Sequence, residues 1–206
     1  ASVNTWKNMV RVMGFALPIA GIVAANNLSS GIIIVGIGFV MLFVASPDYK
    51  RFVLMGAAGV AAVAALVFAI IQMEHSDLGF RGGRILAWLN PEDYASGTGF
   101  QTLQALYAQN DMIFSIICEE LGLFGGIAVI LLFVLLIWRF MVIANNSSDL
   151  FGALLVVGVM GHIAIQVILN IAVVTNTIPN TGISLPFISY GGSSVMFLMV
   201  EIGLVL

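Results

Sequence analysis

The sequence predicts an all-α fold: a polytopic bundle of about six transmembrane helices, with residues 1–206 forming one membrane domain. Three observations carry this prediction. Hydrophobic residues make up 61% of the 206-residue chain and charged residues only 8%, a balance foreign to water-soluble domains. Apolar runs of near-membrane length recur, separated by polar breaks. The charges gather in those breaks and leave the runs mostly bare. Inside a bilayer each backbone N–H and C=O must be satisfied within its own segment, so such runs fold as helices.

Residues 12–25 form the first run, interrupted by Pro18, and Asn26-Asn27-Leu28-Ser29-Ser30-Gly31 reads as a tight polar turn. Residues 32–45 form the second run, closed by the charged loop Ser46-Pro47-Asp48-Tyr49-Lys50-Arg51. Residues 52–73 form the third. Residues 74–110 are the one long polar connection, carrying Glu74, Asp77, Arg81, Arg84, Glu92 and Asp93. Residues 111–138 form the fourth run, followed by Arg139 and Asn145-Asn146-Ser147-Ser148-Asp149. Residues 150–174 form the fifth, 175–186 a turn rich in Asn, Thr, Pro and Gly, and 187–206 the sixth. The chain shows no internal repeat and no cleavable signal pattern. It stops inside an apolar run, which suggests a fragment.

The basic residues divide unevenly between the two sides. Lys7, Arg11, Lys50, Arg51 and Arg139 fall on one, and Arg81 and Arg84 on the other. By the positive-inside rule the first side is cytoplasmic, so 74–110, Asp111 and 175–186 are expected outside. A net charge of −3 offers no basic surface for nucleic acid. The single cysteine, Cys118, excludes an internal disulfide and reads as a buried thiol on an apolar helix.

The groups that can carry chemistry are few. Asp111 opens the fourth run, where it can act as a helix N-cap or as a general base at the outer membrane surface. Glu119 and Glu120 lie roughly 12 Å further along a continuous helix and point about 100° apart. Glu119, about 80° round from Asp111, is the one expected to line the same cavity. Intramembrane carboxylates are costly, and the plain alternative is a pair of buried acids bonded to other segments. For His162 and Glu201 an interhelical hydrogen bond is the favoured reading. Arg81 and Arg84 suit diphosphate recognition, although Asp77 and Arg81 also have the spacing of a solvated helical ion pair. Trp88, Tyr94, Phe100 and Tyr107 have the look of an interfacial aromatic belt. Gly191-Gly192-Ser193-Ser194 opens the sixth segment with small residues that permit close helix approach.

Two stretches go beyond pattern. Asn180-Thr181-Gly182-Ile183-Ser184-Leu185-Pro186-Phe187-Ile188-Ser189-Tyr190-Gly191-Gly192-Ser193-Ser194 closely resembles the signature of the SEDS family, the FtsW, RodA and SpoVE proteins. Asp111-Met112-Ile113-Phe114 with Glu119-Glu120-Leu121-Gly122 resembles that family's second signature, and Gly99-Phe100-Gln101 with Gln104 a third element. The motifs occur in family order and cover essentially the whole chain, as the C-terminal six of the family's ten spans. The Asn-Thr-Gly form of the last turn leans towards the FtsW and SpoVE branch. Four N-terminal spans are missing from the pattern. So is a lysine-containing stretch, because Ala108-Gln109 follows Tyr107 directly.

The resemblance implies a peptidoglycan glycosyltransferase that polymerises lipid II at the outer face of the bacterial cytoplasmic membrane. It also implies a class B penicillin-binding protein as partner, alongside other divisome or elongasome membrane proteins. Asp111 falls on the family's essential loop aspartate and is the expected catalytic base. Arg81, Arg84, Gln101, Glu119, Ser189, Tyr190, Ser193 and Ser194 are the expected substrate-binding residues. One carboxylate suffices for such chemistry, because a diphosphate departs without being protonated. Its charge still calls for Arg81, Arg84, a divalent cation such as Mg or Mn, or the lysine missing from this pattern. The rival readings are a lipid-precursor flippase or transporter and a non-catalytic scaffold for the partner synthase.

Overall fold

The computed structural model describes residues 6–45, 50, 52–54, 56, 57, 61, 65, 68, 88, 112–179, 181–189 and 191–205. Among them are five helices: α1 (Trp6–Asn26), α2 (Leu28–Ala45), α3 (Ile113–Asn145), α4 (Leu150–Val174) and α5 (Gly192–Val205). α3 and α4 are long and apolar enough to cross a membrane. Most of the expected third segment, 52–73, and all of the connection 74–110 except Trp88 lie outside the described residues.

α1 and α2 make a tight hairpin about Asn27. Its side-chain oxygen accepts the N–H groups of Ser29 at 3.1 Å and Ser30 at 3.4 Å, satisfying donors that the first helical turn leaves open. The hairpin closes because Gly31 has no side chain. A Cβ there would lie 2.6 Å from the Ala24 Cβ and 2.9 Å from the Ala20 carbonyl oxygen. Phe52 is buried against Leu42 and Phe39, edge-on to the rings of Phe39 and Phe43.

α4 is the central helix, packed against α2 on one side and α3 on another. The Ile165 side chain fills the space over Gly36, and Val40 lies over Gly161, the small-residue contact that membrane helices use to approach closely. Across the other face, Phe114, Phe133 and Phe140 of α3 pack with Val156, Val159, Ile163 and Val167 of α4 and Leu198 of α5. Asp149 starts α4, its Oδ2 accepting the Gly152 N–H at 3.1 Å. At the end of α3, Asn146 folds its amide back to donate to the Val142 carbonyl at 2.8 Å.

Several boundaries differ from the sequence reading. α1 begins at Trp6, six residues early, and runs through Pro18. α2 begins at Leu28, so most of the expected 26–31 turn is helical and only Asn27 separates the two helices. The fourth segment does not stop at 138: α3 runs on to Asn145, since Arg139 can occupy an exposed helical position. Nor is it continuous, because Gly122 sits at φ 63°, ψ −163° and breaks the helix in a conformation essentially confined to glycine. The last helix begins at Gly192, five residues later than expected. The apolar pair Phe187-Ile188 belongs to the preceding loop, with Phe187 itself at φ 64°.

Candidate functional site

The site is built around the loop between α4 and α5. α4 ends at Val174, where Thr175 donates its hydroxyl to the Ile171 carbonyl at 2.9 Å. Asn176 then turns the chain at φ 55°, a left-handed conformation that asparagine tolerates. The N–H groups of Thr177 and Ile178 both reach back to the Ala172 carbonyl, at 2.8 and 3.2 Å.

From there the chain enters the bundle without regular structure, so its backbone polar groups need partners from elsewhere. Asn170, fully buried on α4, donates from Nδ2 to the Ile183 carbonyl at 2.7 Å. Ser29, buried at the start of α2, donates from Oγ to the Thr181 carbonyl at 2.7 Å. Trp88 donates from its indole nitrogen to the Asn176 carbonyl at 3.0 Å. Three elements far apart in sequence therefore hold one loop. Ile183, Leu185 and Pro186 are buried, Leu185 only 1% exposed, and the Phe187 ring packs against the main apolar core. That packing holds Phe187 at its positive φ, a conformation that costs a bulky residue of order 1–3 kcal/mol.

Ser189 closes the loop on itself. It is 6% exposed, its Oγ accepts the Leu185 N–H at 2.8 Å, and its own N–H donates to the Leu185 carbonyl at 3.1 Å. It was expected to present a hydroxyl to substrate. Its oxygen also shapes the turn by taking the Leu185 N–H, a bond that uses one acceptor site of the hydroxyl and not its hydrogen. Ser193 is exposed and Ser194 half-buried in the first turn of α5. These two are the described hydroxyls at the loop exit.

The aspartate motif reaches the same end of the bundle. Met112, the chain neighbour of Asp111, is buried against Val173 with Val174 and Ile178 around it. The cap position of α3 is Met112 itself, with no side-chain cap bond, and Ser115 donates its hydroxyl to the Met112 carbonyl at 2.7 Å. The start of α3, the start of α2, Trp88 and the loop thus share one end. Asp111, Arg81, Arg84, Gln101 and Tyr190 lie outside the described residues, as do Asp77, Tyr94, Phe100 and Tyr107.

Glu119 and Glu120 are both exposed, so neither is a buried acid bonded to another described segment. They end the short first part of α3, just before the break at Gly122. His162 and Glu201, each expected to make an interhelical bond, make it with each other: Nδ1 lies 2.8 Å from Oε2 and 3.1 Å from Oε1, tying α4 to α5. Among the described residues no cluster of three or more His, Cys, Asp or Glu could hold a metal ion, and these four groups diverge or are already paired. Cys118 is a half-buried free thiol packed against the core.

Sequence reasoning overlooked Asn170 and Ser29. Asn170 left one signal, an amide spaced four and eight residues from Gln166 and His162 on an otherwise apolar helix. Ser29 was read only as part of a turn.

A family model for a cell cycle protein, covering FtsW, RodA and SpoVE, matches residues 2–110 and 106–206. The two matches meet where Tyr107 runs directly into Ala108-Gln109. The chain is 38% identical to stage V sporulation protein E of Bacillus subtilis over 209 aligned positions, covering 90% of this chain and 55% of that protein. It is 32% identical to a probable peptidoglycan glycosyltransferase FtsW of Trichlorobacter lovleyi, covering 87% of this chain and 51% of the relative. The chain thus spans about half the length of these curated relatives. Among solved structures it is similar to a chain from a peptidoglycan synthase complex in which polymerization and crosslinking are coordinated, with a TM-score of 0.81 and 25% identity, covering all of this chain and 62% of that one. A mutant of the rod shape determining protein RodA of Thermus thermophilus shares the fold, with a TM-score of 0.67 at 24% identity, covering 96% of this chain and 55% of that one.

Proposed function

The chain belongs to the FtsW, RodA and SpoVE family of cell cycle proteins, and from that premise we propose that the protein is a peptidoglycan glycosyltransferase. Its substrate in this reading is lipid II, polymerised at the outer face of the cytoplasmic membrane with release of undecaprenyl diphosphate. The observation that carries the reading is the burial of Met112 against Val173 and Ile178. The position of Met112 supports a reading in which its neighbour Asp111 acts beside the braced loop, where a lipid headgroup and a base could meet.

In the proposed reaction Asp111 accepts the proton of the attacking sugar hydroxyl. That oxygen bonds to the anomeric carbon of the donor as the bond to the diphosphate breaks, which inverts an α-linked donor to a β-linked product. The diphosphate leaves as an anion and needs cationic compensation. Arg81 and Arg84 are assigned that role, with Gln101 and Tyr190 on the substrate. Ser189, Ser193 and Ser194 contribute hydroxyls, and Ser189 also holds the loop's shape. A divalent cation accompanying the diphosphate would supply the same kind of charge compensation. The five-to-two division of basic residues supports the outward placement and a multi-pass topology. A class B penicillin-binding protein is the proposed partner, in keeping with the synthase complex among the structural neighbours.

Polymerisation of labelled lipid II by the full-length protein with its partner tests the reading. Asp111→Asn is expected to lower the rate by at least about 100-fold, the lower range for a general base, with normal membrane levels and partner binding. A normal rate in that variant overturns the assignment. One observation favours the flippase alternative: the break in α3 beside two acids resembles the discontinuous helices of transporters. That reading expects lipid II to cross vesicle membranes with no glycan formed.

A further inference from the structure

The end of the bundle opposite the braced loop holds a crevice of about 470 Å³ between the end of α3, the α3–α4 turn, the start of α4 and the last described turn of α5. Its walls are of two kinds. Arg139, Asn146 and Ser147 supply the polar part, and Phe151, Leu155 and Leu204 the apolar part. Arg139 is exposed and has no hydrogen-bond or ion-pair partner among the described residues. It lies about 10 Å inside the end of α3, less than two turns from Asn146. At 1.5 Å per residue it stands roughly 39 Å along α3 from Ile113, past the ~30 Å of hydrocarbon and in the cytoplasmic headgroup layer, where an arginine meets lipid phosphates.

Among the described residues no carboxylate pairs with Arg139. Asp149 is the acid in the adjoining turn. Its carboxylate accepts the Gly152 N–H and is absent from the crevice walls. It also caps the N-terminus of α4, so that helix end is not what draws an anion. The Ser147 hydroxyl is already donated to the Asp149 carbonyl at 3.1 Å. One Asn146 amide hydrogen goes to Val142, leaving the second as a donor in the wall that Arg139 also lines. The crevice therefore offers a charged donor and a neutral one at its polar end, and an aromatic and aliphatic channel beyond them.

We propose that this crevice binds an anionic phospholipid, its phosphate on Arg139 and Asn146 and an acyl chain along Phe151, Leu155 and Leu204. A free phosphate would use only the polar end and leave the channel bare. A zwitterionic lipid would bring its own cation next to Arg139. The site lies at the far end of the bundle from the glycan chemistry and does not depend on the proposed activity.

The test uses the full-length protein with p-benzoylphenylalanine in place of Phe151. It is reconstituted in phosphatidylcholine vesicles with and without phosphatidylglycerol, irradiated, and read by mass spectrometry of the lipid adducts. Phosphatidylglycerol adducts are expected at about fivefold above their share of the bilayer, the preference one basic residue confers at a membrane surface. Arg139→Gln should abolish the enrichment and leave phosphatidylcholine adducts unchanged, while Arg139→Lys retains part of it. Adducts that follow bulk composition whatever stands at 139 overturn the proposal. So does competition by inorganic phosphate, and so does capture of another protein segment in place of lipid. If Arg139→Gln fails to fold, the enrichment in the parent protein and its partial retention in Arg139→Lys decide the matter.

Discussion

The 175–191 loop and helix α3 invert the usual relation between regular structure and burial. The loop has no helix, yet Ile183, Leu185, Pro186 and Ser189 are buried, and three distant side chains bond its backbone. α3 is the longest of the described helices and intensely apolar, yet Leu121, Leu123, Phe124, Leu131 and Leu132 face outward. In water, apolar residues go in and irregular backbone stays out. In a bilayer the outside is as apolar as the core, so a leucine does not reveal which way it faces. Unpaired peptide groups do reveal it, because lipid cannot satisfy them. The polar backbone is buried in protein and the apolar helix surface is left to lipid.

The sharpest way to break this comparison is to remove a bond that holds the loop. Asn170→Leu keeps the side-chain size but leaves the Ile183 carbonyl without its donor at a fully buried position. A buried group left unpaired costs about 1–3 kcal/mol. The expected outcome is a lower unfolding temperature in detergent and a polymerisation rate down by about tenfold or more, since 1.4 kcal/mol of misplaced geometry is already tenfold. A variant with parental stability and rate would mean the loop holds its shape without help from α4.

How far each region could be read from sequence follows from the same physics. Residues 150–174 match α4 end for end, because Asp149 and Thr175 mark both boundaries chemically. The loop's motif was legible as a resemblance, and its prolines and glycines as a fixed turn. Its anchors were not. The acceptors are the carbonyls of Thr181 and Ile183, which every residue carries, so nothing in the sequence points from Ser29 or Asn170 to them. His162 and Glu201 were each read as interhelical bonders, but their separation of 39 residues hid that they bond each other. The break at Gly122 was equally hidden. Glycine is common in straight membrane helices, and only the backbone angle distinguishes a break from a packing contact.

That break is the second place to press. An added Cβ at Gly122 would meet nothing within 4 Å, so Gly122→Ala tests backbone conformation alone. Holding alanine at φ 63°, ψ −163° costs about 1–3 kcal/mol, and straightening the helix instead would shift Glu119 and Glu120 relative to the rest of α3. Either response should lower the unfolding temperature or the rate, by less than Asn170→Leu. Spin labels at Ile116 and Ile130 would distinguish the two, since straightening changes their separation and strain does not. Parental stability, rate and label distance together would show that the kink is incidental.

The smallest effect is expected on the lipid-facing surface, and it tests the comparison most directly. Phe124 is 88% exposed and Phe133 only 6%, nine residues apart on the same helix. Hydropathy cannot separate them. In a water-soluble protein, Phe→Ala in the core costs about 3–5 kcal/mol. Part of that is transfer from water, a contribution absent when the unfolded helix also lies in lipid. What remains at Phe133 is lost contact with α4 and a cavity that lipid cannot reach, so Phe133→Ala should still destabilise by on the order of 1–3 kcal/mol. At Phe124 an acyl chain moves into the vacated space, and Phe124→Ala should fall within about 0.5 kcal/mol of the parent, as surface substitutions do. Unfolding of both variants of the full-length protein, measured in one lipid or detergent system, gives the contrast. Equal losses at the two sites would mean that Phe124 is covered by protein in the full-length molecule, and the exposed face of α3 would then be an interface and not a lipid surface.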